Sequence, residues 1–189
     1  MELKKVIMAL FMVCMAGSAP AADVDGVRLP DTLTVDGTNL ILNGTGLRKK
    51  LIIKVYAAGL YLTEKDRNFQ TIVDADKPMA IRMHFIYDGV SPKQLIETWN
   101  EGFAVTMGEN APAPFKEKVA SFNSFFTKEA KKDDRYDLIY LPAKGVSLVI
   151  NEKLSGTIPG LDFKKALFAI WLGEKAANKA LKKSLLGEY

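Results

Sequence analysis

The sequence predicts an α+β fold, an antiparallel sheet with helices packed on one face. Three observations carry that prediction. Strand patterns with tight-turn signals occupy the first half of the chain. Helical apolar stripes follow them, then a second group of strand patterns, then two closing helical segments. No linker, low-complexity tract or domain-scale repeat interrupts this order.

The chain opens MELKKVIMALFMVCMAGSAPAAD. Lys4 and Lys5 precede an eleven-residue apolar run, Val6 to Ala16, and Ala19-Pro20-Ala21 supplies small residues in an A-x-A pattern. This is the form of a secretory signal peptide, residues 1–22, cleaved after Ala21 or Ala22. The run is shorter than the roughly 20 residues needed to span hydrocarbon. No stable membrane anchor is expected after cleavage. Cys14 raises the alternative of a lipoprotein, but "FMVC" lacks the small residues that precede a lipidated cysteine. The style of the signal is bacterial, so the expected address is the periplasm.

Residues 23–189 then form a single domain of 167 residues, long enough for a sizeable core. "LTVDGTNLIL" is a hairpin signal around Asp36-Gly37. Leu51 to Leu62 is a long strand pattern, and "PMAIRMHFIY" is another, with Ile81, Met83, Phe85 and Tyr87 on one face. Ser91-Pro92-Lys93-Gln94 forms a capping box with proline at the first helical position. Leu95, Ile96, Trp99 and Phe103 recur behind it at helical spacing. After Pro112 and Pro114 a second helix carries the stripe Phe115, Val119, Phe122 and Phe126. "YDLIYLPAKGVSLVINEKLSGTI" reads as two or three antiparallel strands, with turns at Pro142 to Gly145 and at Asn151-Glu152. "GLDFKKALFAIWLG" is an amphipathic helix ending at Gly173, a C′ glycine. A short last helix turns Ala177, Leu181 and Leu185 inward.

Several function classes are excluded by composition. Cys14 is the only cysteine and leaves with the signal, so the remaining chain has no thiol chemistry. The single histidine, His84, cannot build a multi-histidine metal site, and no metal or cofactor is expected. No G-x-S-x-G elbow accompanies it. Without Lys4, Lys5 and Glu2 the chain keeps 24 basic and 21 acidic residues. That mild balance lacks the basic stripe of a nucleic-acid binder. "NGTGLRKK" lies between two strand patterns rather than ahead of a helix, so it is no phosphate loop.

The strand pattern 51–62 is where chemistry could reside. Its odd positions, Leu51, Ile53, Val55, Ala57, Gly59 and Tyr61, are apolar throughout. Its even positions mix Lys54 and Tyr56 with Ala58, Leu60 and Leu62. The strand 79–87 divides the same way, with Arg82 and His84 on the mixed face. If the apolar faces pack on the helices, the mixed faces share the opposite side. A small sheet could cover them there and leave a cleft, apolar with a few cations and hydroxyls, suited to a small amphipathic ligand. Arg48, Lys49 and Lys50 are read in two ways: as surface charges of a turn, or, for Arg48, as a cation at the mouth of that cleft. An arginine fork fits a carboxylate or enolate bidentately and stays charged at any accessible pH. Lys54 and Arg82 are expected to be solvated, and His84 to be structural.

Two stretches resemble a known family. "LNGTGLRKKLIIKVYAAGLYL" is similar to the opening signature of the chalcone isomerase family, a G-x-G-x-R before a strand ending A-x-G-x-Y-L. "YLPAKGVSLVINEKLSGTIPGLDFKKALFAIWLG" resembles the later half of its bacterial exported, chalcone isomerase-like branch. The resemblance runs from about residue 26 to Gly187. It implies an open-faced β-sandwich, a large antiparallel sheet with a layer of helices on one face. It implies two kinds of activity: cofactor-free closure of a chalcone to a flavanone, or fatty-acid binding without catalysis. The family's cleft arginine falls on Arg48, which in the enzymes stabilises developing enolate charge. The enzymes' cleft threonine is replaced here by Tyr56. Their helical tyrosine and asparagine have no matched pair in "SPKQLIETWNEGF", and neither Asn100 nor Thr157 takes a family role.

The reading that follows is a periplasmic, non-enzymatic binder of a small amphipathic acid such as a fatty acid. Arg48 and Tyr56 hold its head, and Ala58 and Leu60 line its tail. The alternatives are a cofactor-independent isomerase acting on an enone, and an interaction module whose cleft is closed around an ion-paired Arg48. Catalytic residues, ligand identity and oligomeric state stay open at this point.

Overall fold

The computed structural model describes residues 21–108 and 111–188. Residues 1–20 of the expected signal peptide lie outside this range. The described chain begins with a hairpin, β1 (Ala21–Val24) and β2 (Val27–Pro30), turned at Asp25-Gly26. Seven further strands form one antiparallel sheet in chain order: β3 (Thr32–Val35), β4 (Thr38–Lys50), β5 (Ile53–Leu62), β6 (Met79–Phe85), β7 (Arg135–Leu141), β8 (Gly145–Ile150) and β9 (Lys153–Ile158). Five helices complete it: α1 (Phe69–Asp74) between β5 and β6, α2 (Pro92–Met107) and α3 (Ala113–Asn123) between β6 and β7, then α4 (Leu161–Leu172) and α5 (Lys179–Leu185).

The helix starts follow their sequence signals. Ser91 caps α2 and Gln94 returns the bond, the reciprocal capping box. Leu95, Trp99 and Phe103 of α2 are buried, with Phe115 and Phe122 of α3. They meet Phe126, Phe163 and Trp171 in an aromatic core that lies on the sheet residues Ile81, Met83, Phe85, Tyr136 and Leu138. Ridges of this size bury large apolar area per residue and fix the helix layer on the sheet.

Five expectations need correction. Gly173 ends α4 but has φ −64, so it is no left-handed cap. Glycine is needed there because a Cβ would approach the Ala169 carbonyl oxygen to 2.7 Å. Ala177 lies ahead of α5 and is exposed, while Ala176 is buried in its place. Arg48, Lys49 and Lys50 are the end of strand β4, and the turn is Leu51-Ile52.

The largest correction concerns the faces of β5. Its even positions Tyr56, Ala58, Leu60 and Leu62 point to the helices, alongside Phe85, Met83, Ile81 and Met79 of β6. Its odd positions Ala57 and Tyr61 point the other way. Ala57 packs on Val27 and Leu29 of the small sheet, and Tyr61 on Leu40 and Ala80. A bulge explains why alternation misleads here. Arg48 pairs with Tyr56 but Lys49 pairs with Lys54, so Val55 is the extra residue. Alternation reverses at such a bulge. Beyond it Ile53 and Val55 join Tyr56 on the helix side, and Lys54 turns to the small sheet, where it meets Asp25 at 2.5 Å. The β1–β2 sheet does cover the other face, but the space between the layers is filled.

Arg82 is also not solvated. It faces away from the helices and meets Asp137 of β7 in a two-pronged ion pair. His84 on the same face lies 3.4 Å from Asp133, in keeping with a structural role.

Candidate ligand-binding cleft

Strand β4 explains the G-x-G-x-R spacing. Gly44, Gly46 and Arg48 face the helix layer, paired with Leu60, Ala58 and Tyr56. Helix α5 lies directly on the two glycines. A Cβ at Gly44 would sit 2.2 Å from the Ser184 carbonyl oxygen, and one at Gly46 would sit 2.8 Å from a Leu181 methyl carbon. Only glycine allows this approach. Asn43 fastens the same contact, donating from Nδ2 to the Leu185 and Asp66 carbonyls. The start of α5, at Asn178 and Leu181, borders a cleft, and Arg48 emerges past it into that opening.

The cleft lies between the helix face of the sheet and helices α2, α4 and α5, with a volume of about 370 Å³. That falls in the usual range for small-molecule sites, roughly 300–1,000 Å³. Met83, Phe85 and Val55 form its floor; Leu95, Trp99 and Ile170 form its walls. Ala58 and Leu60, expected to line a tail, are sealed in the core beneath the helices and do not border it. Polar groups gather at the mouth. The lining includes three cations, Arg48, Lys50 and Lys175, and one carboxylate, Glu101.

Arg48 is half-buried and makes no ion pair among the described residues. Its Nη1 donates to the Lys49 carbonyl at 2.9 Å, and the guanidinium lies close enough to the Tyr56 phenol to act on it. Beside it, Tyr56 accepts a hydrogen bond from the Trp171 Nε1–H at 3.0 Å. That bond orients the phenol and leaves its own proton to donate. Burial raises the Tyr56 pKa, against the opposing pull of Trp171 and of the nearby Arg48 guanidinium. The phenol is therefore a neutral donor at physiological pH. Guanidinium and phenol, with the indole bonded to the phenol, line one cleft as donors of the kind that suit an oxyanion or carboxylate.

Both site residues singled out in the sequence, Arg48 and Tyr56, border the cleft together. Trp171 was missed. It sits in "FAIWLG", a core-type helical stripe, and only the fold reveals its indole beside a phenol 115 positions earlier. Asn100 and Thr157 are placed elsewhere: Asn100 accepts from Asn123, and Thr157 lies against Ser147. No group of three or more metal-ligating side chains occurs among the described residues.

The arrangement defines a class first: a curled antiparallel half-barrel with an apolar cleft under its helix layer and an unpaired cation at the mouth. The family follows from the sequence. A chalcone isomerase-like family model matches residues 21–187, and the chain belongs to that family. Among solved structures it is similar to a fatty-acid binding protein of Arabidopsis thaliana, with a TM-score of 0.68 and 20% identity. That match covers 85% of this chain and 92% of the other, and at such identity it speaks to the fold. A comparison with curated proteins finds no match. No described helix is long and apolar enough to cross a membrane.

Proposed function

We propose that the protein is a non-catalytic binder of a small amphipathic acid, of the fatty-acid type, exported to the periplasm after removal of residues 1–22. The observation that carries the reading is Arg48. It is a cation without an ion pair among the described residues, set beside an oriented phenol on a mostly apolar cleft. A ligand carboxylate accepts from Arg48 and Tyr56, and the apolar tail lies along Met83, Phe85 and Trp99. The family membership and the fatty-acid binding protein of similar fold support this class of ligand.

The test is titration of the mature protein with a long-chain fatty acid. Arg48→Ala should weaken binding at least tenfold, about 1.4 kcal/mol. The corresponding fatty alcohol, which lacks the charge, should bind wild type and variant alike. Equal affinity of the two proteins for the acid would sink the assignment of Arg48.

A second reading, a cofactor-independent isomerase acting on an enone, is favoured by the same guanidinium–phenol pair, since it could hold an enolate oxygen. It predicts turnover of chalcones above background, reduced by Arg48→Ala. The lining is mostly apolar and the neighbour of similar fold is a fatty-acid binding protein, which is why binding is the first reading.

A further inference from the structure

The four two-residue hairpin turns of this fold are not alike. Three carry polar sequences suited to positive φ: Asp25-Gly26, Asp36-Gly37 and Asn151-Glu152, with φ values from 47 to 83. The fourth, between β4 and β5, is Leu51-Ile52. Leu51 is held at φ 56, where a branched apolar side chain is strained and glycine is favoured. Neither side chain gains packing in return, for each is 93% exposed. A strained leucine followed by an equally exposed isoleucine gains nothing from this chain's own packing, so its use lies outside the fold.

The surroundings state what it fits. Lys49 and Lys50 immediately precede the tip and are exposed. Ile53, next to the tip in sequence, and Tyr87 and Val105 are large apolar side chains more than 40% exposed, and all three border the cleft. Five of the seven exposed large apolar side chains of the described residues thus belong to the tip or to the cleft lining; Met107 at the end of α2 and Leu154 on β9 belong to neither. An apolar point with a cationic collar is complementary to a bilayer with anionic headgroups: hydrocarbon takes the aliphatics and the phosphates take the lysines. A two-residue point presents too little flat area for a stable protein interface.

We propose that the β4–β5 tip is a membrane-docking element. Leu51 and Ile52 insert into an anionic lipid surface, Lys49 and Lys50 meet its headgroups, and the cleft mouth is brought onto the bilayer. The docking needs no ligand. It rests on the binder reading only for its consequence, that an amphipathic acid can pass between bilayer and cleft without crossing water.

The test is co-sedimentation of the mature protein with two kinds of vesicle: phosphatidylcholine alone, and equal parts phosphatidylglycerol and phosphatidylcholine. The protein should bind the anionic vesicles more than tenfold better, since each lysine at an anionic surface contributes about fivefold. Added salt should weaken that binding. Leu51→Gly with Ile52→Ser should reduce it at least tenfold, as should Lys49→Glu with Lys50→Glu. The Leu51/Ile52 variant should keep its circular dichroism and its solution affinity for a fatty acid, because neither residue borders the cleft. No binding of wild type to anionic vesicles overturns the proposal, and so does equal binding by the Leu51/Ile52 variant. Self-association abolished by that variant, with no vesicle binding, assigns the tip to a second copy instead. Vesicle binding without fatty-acid binding leaves the docking standing and removes the binder reading alone.

Discussion

Arg48 and Arg82 stand on strands of one sheet and are treated oppositely. Arg82 faces away from the helices and is matched by Asp137, Nε to Oδ1 at 2.7 Å and Nη2 to Oδ2 at 2.8 Å, with both side chains at most 15% exposed. Arg48 faces the helices, at the cleft, and makes no ion pair among the described residues, although the cleft lining also holds Glu101. A cation that belongs to the scaffold arrives with its anion, because a buried charge without one costs several kcal/mol. A cation kept at a cleft mouth without one has its fork free for an anion from outside.

The largest expected effect lies on the paired side. Asp137→Ala strands the Arg82 guanidinium and should cost about 3–5 kcal/mol in a denaturant titration. Replacing both partners with leucine should restore most of that loss. A cost under about 1 kcal/mol for Asp137→Ala would break the comparison, since the pair would then behave as a solvated one.

Lys164 tests the same rule with backbone acceptors. It is fully buried, and its Nζ donates to the carbonyls of Ile72, Val73 and Ala75 at the end of α1. Lys164→Met leaves those oxygens without their donor and should cost about 2–4 kcal/mol at neutral pH. Burial also pulls the ammonium pKa down to about 8, helped by Lys165 and opposed by Asp74 and Asp76. Between that value and 10.5 the unfolded chain binds the proton more tightly than the folded one. Stability due to Lys164 therefore rises with pH across that window, by at most about 3 kcal/mol. The gap between wild type and Lys164→Met should widen from pH 8 upward. A constant gap would mean that the three carbonyls hold the proton as firmly as water does.

A smaller effect lies in the cleft. Tyr56→Phe removes the phenol's proton and should weaken fatty-acid binding about fivefold to tenfold, with Trp171 left in place. Because burial raises the Tyr56 pKa, its share of the affinity should hold as pH rises through 9 toward the ordinary tyrosine value of 10.0. Loss of that share below pH 9 would show the phenol ionising early, as a base rather than a donor.

How much of this was legible beforehand follows the range of each interaction. The Asp36-Gly37 and Asn151-Glu152 turns, the Ser91–Gln94 box and the stripes of α2 and α3 are local, and each is found where its sequence signal lies. The family resemblance singled out Arg48 and Tyr56. The direction they face was not legible, because the bulge at Val55 reverses alternation without a residue type that marks it. The pairing of Arg82 with Asp137 and of Tyr56 with Trp171 joins residues 55 and 115 positions apart, beyond any spacing rule. The glycines at 44 and 46 were visible as a motif, but their reason, the backbone of α5 against the strand, exists only in the fold.

The smallest expected effect concerns the tip beside the unpaired arginine. Leu51→Gly relieves a left-handed φ that costs a non-glycine residue about 1–2 kcal/mol. It also loosens the unfolded chain, which returns about 0.5–1 kcal/mol of that gain. The side chain is 93% exposed, so no packing is lost. The variant should therefore be more stable than wild type by about 0.5 kcal/mol, read as a small rise in the denaturant midpoint, while its vesicle binding falls. Gain in stability with loss of docking is the signature of a residue kept against the interest of its own fold. A loss of stability instead would mean that Leu51 packs within the chain after all, and the tip would join Arg82 on the structural side of the comparison.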